Sequence, residues 1–170
     1  YLIINSTPLI YLAKINRLDL LNKLWNNLQA PEEVRKECVE VGKDKGYTDA
    51  YSLEKFFDKY VKVHKLSEEE NVKLLRIAEE FNIDLGEAAV IVLAKKKEEN
   101  EILMDDSRAR RTAKIMGLKP RGTLYIILRA VKRSIISKQE ARELLEELIS
   151  KNFYISIKVY VNFLEQLEKI

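Results

Sequence analysis

The chain holds a single cysteine, Cys38, in 170 residues, so no intrachain disulfide forms and a reducing, cytoplasmic setting fits. One histidine, His64, with no second histidine or cysteine near it in sequence, excludes the usual zinc-ligand patterns. Three prolines and five glycines are too few for a loop-rich or low-complexity protein, and no Gly-rich dinucleotide or phosphate loop is present. No apolar run approaches the roughly 20 residues of a membrane span, and no basic leader precedes an apolar segment. Charge of one sign is also scarce: the net charge of +3 permits contact with nucleic acid without arguing for it. What remains is 46% apolar and 34% charged residues, enough for a real core in one domain spanning 1–170 and suited to a helix-rich fold.

Along the chain, strand-like and helix-like segments alternate. Tyr1 to Asn5, Leu28 to Ala30, Val61 to Leu66 and Ile102 to Met104 read as strands. Helices are expected over Thr7 to Ile15, Leu18 to Trp25, Pro31 to Val41 and Tyr51 to Tyr60, with Gly42 to Thr48 as a turn-rich link. Ser67 with Glu70, and Asp84 with Glu87, form capping-box patterns before helices reaching Phe81 and Lys97. Further helices are expected over Asp106 to Met116 (closed by Gly117), Gly122 to Val131, Lys138 to Ser150 and Ser156 to Lys169. Strands separated by helices predict a three-layer α/β/α sandwich with a central parallel sheet, and residues from about 133 to 170 form a helical C-terminal extension.

Four places carry the residues for chemistry. The first strand ends in Asn5-Ser6-Thr7, with Thr7 suited to cap the helix and Pro8 to its first turn. Open α/β sheets place their chemistry at that edge. Glu37 lies three residues from Val34, on the apolar stripe of Val34, Cys38 and Val41, where a carboxylate is costly unless it meets a cation, a donor or a proton. Pairing at the stripe edge is the routine alternative. Glu87 opens an almost wholly apolar helix, beside Gly86. Asp105 and Asp106 stand where a strand meets a helix start, and either serves as a plain N-cap. Capping accounts for most of these positions singly, but not for polar groups gathered at successive strand ends. Oxygen ligands of this kind suit Mg²⁺ or Mn²⁺. Glu37 is expected to be the acid most raised in pKa. Arg108, Arg110, Arg111 and Lys114 follow on one helix, either as a solvated face or as phosphate contacts.

The ordered motifs resemble those of the PIN-domain ribonucleases, in particular a VapC-like toxin branch of small prokaryotic proteins, up to about Tyr160. Asn5-Ser6-Thr7-Pro8-Leu9-Ile10 is similar to that branch's opening Asp-x-Ser/Thr-Pro-Leu-Ile. Leu18-Asp19-Leu20-Leu21 and Pro31 to Glu37 follow. Gly86-Glu87-Ala88 resembles its Gly-Glu-Ala motif, and Asp105-Asp106-Ser107-Arg108-Ala109-Arg110 its Asp-Asp-x-x-Ala-Arg. The resemblance implies a Mg²⁺- or Mn²⁺-dependent endoribonuclease, with catalytic positions Asn5, Glu37, Glu87 and Asp106. It implies metal contacts from Glu37, Glu87 and Asp106, with Asp105 as the competitor of Asp106, and it matches Thr7 to the family's hydroxyl residue; Arg108 and Arg111, which share a face of their helix, are the further candidate substrate contacts. It also implies RNA as substrate, a small antitoxin protein as partner, a homodimer and a cytoplasmic location. One departure matters: Asn5 stands where the family has aspartate, and an amide offers a metal one neutral oxygen and no charge. The alternative is a catalytically silent module that binds RNA or a partner protein.

Overall fold

The apolar run Leu2–Ile4 forms β1, completely buried, as expected of a strand covered on both faces. A computed structural model describes all 170 residues. After β1 come α1 (Ser6–Lys14), α2 (Asp19–Leu24), β2 (Leu28–Pro31) and α3 (Glu32–Arg35). The helix continues without a break through a π-helical stretch, Lys36–Val41, into α4 (Gly42–Asp44). Then follow α5 (Asp49–Tyr60), β3 (Val61–His64), α6 (Glu68–Phe81), α7 (Leu85–Lys97), β4 (Glu101–Leu103), α8 (Ser107–Ile115), β5 (Lys119–Arg121), α9 (Thr123–Lys132), α10 (Lys138–Ser150) and α11 (Ile157–Glu168).

The five strands are all parallel, in the order β3-β2-β1-β4-β5. The chain first moves outward from β1 through β2 to β3. It then crosses back over the sheet, through α6 and α7, to place β4 on the other side of β1. Crossovers of one hand put helices on opposite faces when the direction of travel reverses. Accordingly α7 lies against β1, β2 and β4 with α6 and α8 beside it, while α9 packs with α1, α2, α10 and α11. α7 is buried from Gly86 through Ala94, which explains why its sequence is apolar all round. One hydrophobic cluster runs from Leu2 to Phe163 and Leu167, so α11 contributes to the same core as the sheet. The reversal makes the gap between β1 and β4 the topological switch point, where α/β sheets open a crevice at their carboxyl ends. Asn5 leaves β1 there, its N–H bonded to the Leu103 carbonyl at 2.9 Å, and Asp105-Asp106 leave β4 beside it.

Several sequence expectations shift. Asn5, not Thr7, occupies the N-cap of α1, and its side chain makes no capping bond. Pro31 ends β2 and caps α3 instead of opening the helix. The expected link at Gly42 to Thr48 begins with the helical turn Gly42–Asp44. Strand β5 was not foreseen: Lys119-Pro120-Arg121 is three residues long with a central proline, which an edge strand tolerates because one side of its backbone needs no partner. Both capping boxes form, with Ser67 and Glu70 on α6 and Asp84 and Glu87 on α7.

Candidate active site

Asn5 is 2% exposed, and its Oδ1 is one of two buried side-chain oxygens without a hydrogen-bond partner, the other being Glu33 Oε2. Gly86, in the first turn of α7, explains how close the neighbouring groups come. A Cβ placed there would stand 3.2 Å from Glu37 Oε2, 3.4 Å from Asp84 Oδ1 and 3.7 Å from Asn5 Oδ1. Three oxygens from three separate elements therefore surround one point that only glycine leaves open. Ser6 Oγ donates to Glu37 Oε2 at 2.9 Å and anchors it.

Glu37 reaches this point differently from the expectation. It is not packed on the apolar stripe: the residue is exposed, and only its carboxylate end is enclosed against Ser6 and Gly86. The reason is the π-helical stretch, whose i→i+5 bonding breaks the 3.6-residue phase on which the stripe reading relied. Val34, Cys38 and Val39 are buried, whereas Val41 is only half-buried. Burial raises the pKa of Glu37 and the charge on Asp84 adds to it, while the Ser6 bond and Lys45 act in the other direction.

Glu87 is the acid pushed up to about 7, which corrects the expectation that Glu37 would be the most raised. It is 6% exposed, and burial is the main cause. Its bond from the Asp84 N–H opposes the shift, and the charges of Asp84, Asp106 and Glu37 add to it. Asp84 was read only as a cap. It does cap, accepting from the Glu87 N–H at 2.7 Å, but the same Oδ1 faces Glu37 and Asn5. The capping-box pattern at Asp84 was the one signal in the sequence, and its routine explanation concealed the second role.

Asp105 and Asp106 diverge. Asp106 Oδ1 caps α8, accepting from the N–H groups of Arg108 and Ala109, both at 2.9 Å, and its charge reaches Glu87. Asp105 turns away from Glu37. It accepts from the Thr123 hydroxyl at 2.6 Å and the Thr123 N–H at 2.8 Å, with Arg110 beside it. Burial raises its pKa against those bonds. Gly122 is required for this contact, since a Cβ there would lie 2.8 Å from Asp105 Oδ1 and 3.1 Å from the Arg110 guanidinium.

Asp84, Glu87, Asp105 and Asp106 line a cleft of about 960 Å³, whereas Glu37 lines a separate, smaller pocket. Asp84, Glu87 and Asp106 form one wall, Arg110, Arg111 and Lys114 of α8 another, and Thr7 and Tyr11 of α1 a third. Phe153 and Tyr154, from the segment joining α10 to α11, complete the rim. Tyr11 meets Phe153 edge-on at 4.9 Å, and Tyr154 is 90% exposed. Thr7 and Arg111, two of the expected substrate contacts, line this cleft. Arg108 instead donates to the Asn82 carbonyl at 3.1 Å, outside the cleft lining. A cleft with an acidic floor and a basic side wall suits an anionic polymer whose backbone is held beside the acids.

A PIN-domain family model matches residues 1–169. The chain belongs to the PIN-domain family. Its five-strand parallel sheet with flanking helices is the PIN architecture, and membership gives it a nuclease-type function. PIN nucleases act on RNA and generally use divalent metals. No protein of curated function matches the chain. No helix is long and apolar enough to cross a membrane.

Whether this PIN domain's residues fit a divalent cation is decided by their donor chemistry. No three of its acids, histidines or cysteines draw together into a cage. The donors around Gly86 are nonetheless all oxygens, one of them buried and partnerless, and the adjacent Glu87 is pushed up to about 7, mainly by burial and then by neighbouring carboxylates. That combination fits a hard cation, which would satisfy the amide oxygen and relieve the repulsion among the carboxylates. The position that leaves the set short of charge is Asn5.

Proposed function

We propose that this PIN domain is a Mg²⁺- or Mn²⁺-dependent endoribonuclease of the VapC-like toxin branch, attenuated by Asn5. The observation that carries this reading is the partnerless, buried Asn5 Oδ1 facing Glu37 and Asp84 at the switch point of the sheet. In this reading Asn5, Glu37, Glu87 and Asp106 hold the cation, and Asp84 supports them. A cation held there would supply a water of lowered pKa and charge stabilisation for the phosphodiester. Asp105 stays with Thr123 and fixes the turn between β4 and α8 rather than serving as a ligand.

The chain's own residues do the rest. Ser6 holds Glu37 in place, so its carboxylate does not swing toward Lys45. Glu87, with a pKa of about 7 before a cation binds, exchanges a proton near neutral pH and releases it as positive charge arrives. Arg111 and Lys114 carry the RNA backbone along the cleft, and Arg110, tied to the Met104 carbonyl at 3.1 Å, steadies the wall behind Asp105. Thr7 presents its hydroxyl to the strand. A small antitoxin, a homodimer joined through the exposed apolar residues of the late helices, and a cytoplasmic setting complete the proposal.

A second reading has its own support: Asn5 lowers the charge of the site, and no full acidic cage exists. It makes this chain a silent module that holds RNA in the same cleft. RNA cleavage with Mn²⁺, measured for this chain and for Asn5→Asp, separates the two. Cleavage that appears or rises in Asn5→Asp supports the nuclease; binding without cleavage in both supports the silent module.

A further inference from the structure

Helix α1 separates two cavities. Thr7 and Tyr11, one turn apart, face the acidic cleft; Ile10 and Lys14, again one turn apart, face a second pocket of about 250 Å³. Glu37 lines that pocket, and Ser6, the residue before Thr7, donates to its carboxylate. The walls of the second pocket are apolar, from Ile10, Val41 and Leu53, and its rim carries Tyr47, which is 58% exposed. Two cations stand at the mouth. Lys14 lies over the Tyr11 ring at 5.1 Å, on the ridge between the cavities, and Lys45 is close enough to act on the Glu37 carboxylate. Asp49 lines the pocket too, and the nearby Lys43 is committed to Glu54 at 2.6 Å.

We propose that this pocket is a nucleobase subsite, which takes one unstacked base of the RNA strand and favours guanine. The proposal rests on the nuclease reading for its substrate class. A strand lying in the basic cleft and crossing α1 passes Lys14, and its next base meets an apolar slot with an aromatic edge. At about 250 Å³ such a slot is large enough for a single heterocycle. Unstacked bases read on aromatic side chains are the general mode of single-strand recognition. Lys14 and Lys45 neutralise the phosphates on either side of that base. Asp49 accepts hydrogen bonds and donates none, so it selects bases with N–H groups on their pairing edge. Guanine presents two adjacent donors there, N1–H and the 2-amino group, and so suits a carboxylate best.

The test is NMR titration of the metal-free chain with GMP, CMP, AMP, UMP and inorganic phosphate, following the amides of Tyr47, Asp49 and Ala50. GMP should move them saturably and most tightly, and phosphate should not. Tyr47→Ala, at an exposed position that leaves the core intact, should weaken GMP about tenfold, as loss of one stacking contact implies. Asp49→Asn should reduce the preference for GMP over UMP by a similar factor of about ten. Shifts confined to Ser107–Ile115, no shifts at all, equal response to all four nucleotides, or a Tyr47→Ala chain that binds GMP as tightly would each overturn the subsite. Its fate is separable from that of the nuclease reading. Mn²⁺-dependent cleavage by Asn5→Asp without a pocket response removes the subsite alone, and a pocket response without cleavage removes only the nuclease.

Discussion

Glu87→Gln should make the protein more stable at pH 8 and flatten its stability against pH. The carboxyl of Glu87 is raised from 4.5 to about 7 in the folded chain, mainly by burial and then by Asp84, Asp106 and Glu37. A raised acid binds its proton more tightly when folded than when unfolded. Stability from this group is therefore intact below about pH 4.5 and is lost as pH rises toward 7. Each pH unit between those two values is worth about 1.4 kcal/mol, so ionisation of Glu87 costs on the order of 3 kcal/mol above pH 7, most of it lost between pH 5 and pH 8. Glutamine keeps the capping box, because its side-chain oxygen still accepts from the Asp84 N–H, and it carries no charge. Urea unfolding in EDTA at pH 5 and pH 8 measures both chains. The parent should lose more stability than Glu87→Gln over that interval, by about 2 to 3 kcal/mol, equivalent to roughly 5 to 12 °C in Tm for a chain of this size. If the two chains change in parallel to within about 0.5 kcal/mol, ordinary scatter in such comparisons, the Glu87 carboxyl is not raised by its burial and neighbours as described.

Gly86→Ala should fold well, since alanine favours a helix, yet its methyl would meet Glu37 Oε2 at 3.2 Å and displace it. Mn²⁺ affinity by calorimetry should fall about tenfold or more, the usual cost of disturbing the support of a metal site. Ser6→Ala removes the bond that holds the Glu37 pKa down, so NMR titration in EDTA should find Glu37 higher still. Thr123→Val leaves buried Asp105 without its hydroxyl donor and should cost about 1–3 kcal/mol by urea unfolding, with Mn²⁺ affinity unchanged under the proposal that leaves Asp105 out of the ligand set.

The legible parts of this molecule were those with local causes. The apolar run at Leu2–Ile4, the capping boxes at Ser67 and Asp84, and the all-apolar α7 each carry their explanation within a few residues, and together they require a covered parallel sheet. That Asn5 and Glu37 come near Gly86, and that the charges of Asp106 and Glu37 act on Glu87, was legible for the same reason, as polar residues recur at the ends of buried segments. What stayed hidden depended on distant partners. The π-helical stretch that presents Glu37 has no sequence signature, and the 3.6-residue reading placed that acid inside. Strand β5 exists only because β4 offers an edge to Pro120 and its neighbours. Asp105 and Asp106 are indistinguishable by type and adjacent in sequence. Thr123, eighteen residues on, draws one of them away.

The central claim is that a cation site survives here short of one charge, and Mn²⁺ binding to Asn5→Asp tests it most directly. In EDTA that variant should be less stable than the parent, because it buries another carboxylate beside Glu37 and Asp84. Calorimetric titration with Mn²⁺ should then give an affinity at least about tenfold tighter than the parent's, equivalent to about 1.4 kcal/mol. Asp106→Asn in the same background should remove that gain. Equal Mn²⁺ affinity in Asn5→Asp and the parent would contradict the account and leave the cleft as a place where RNA is held but not cut.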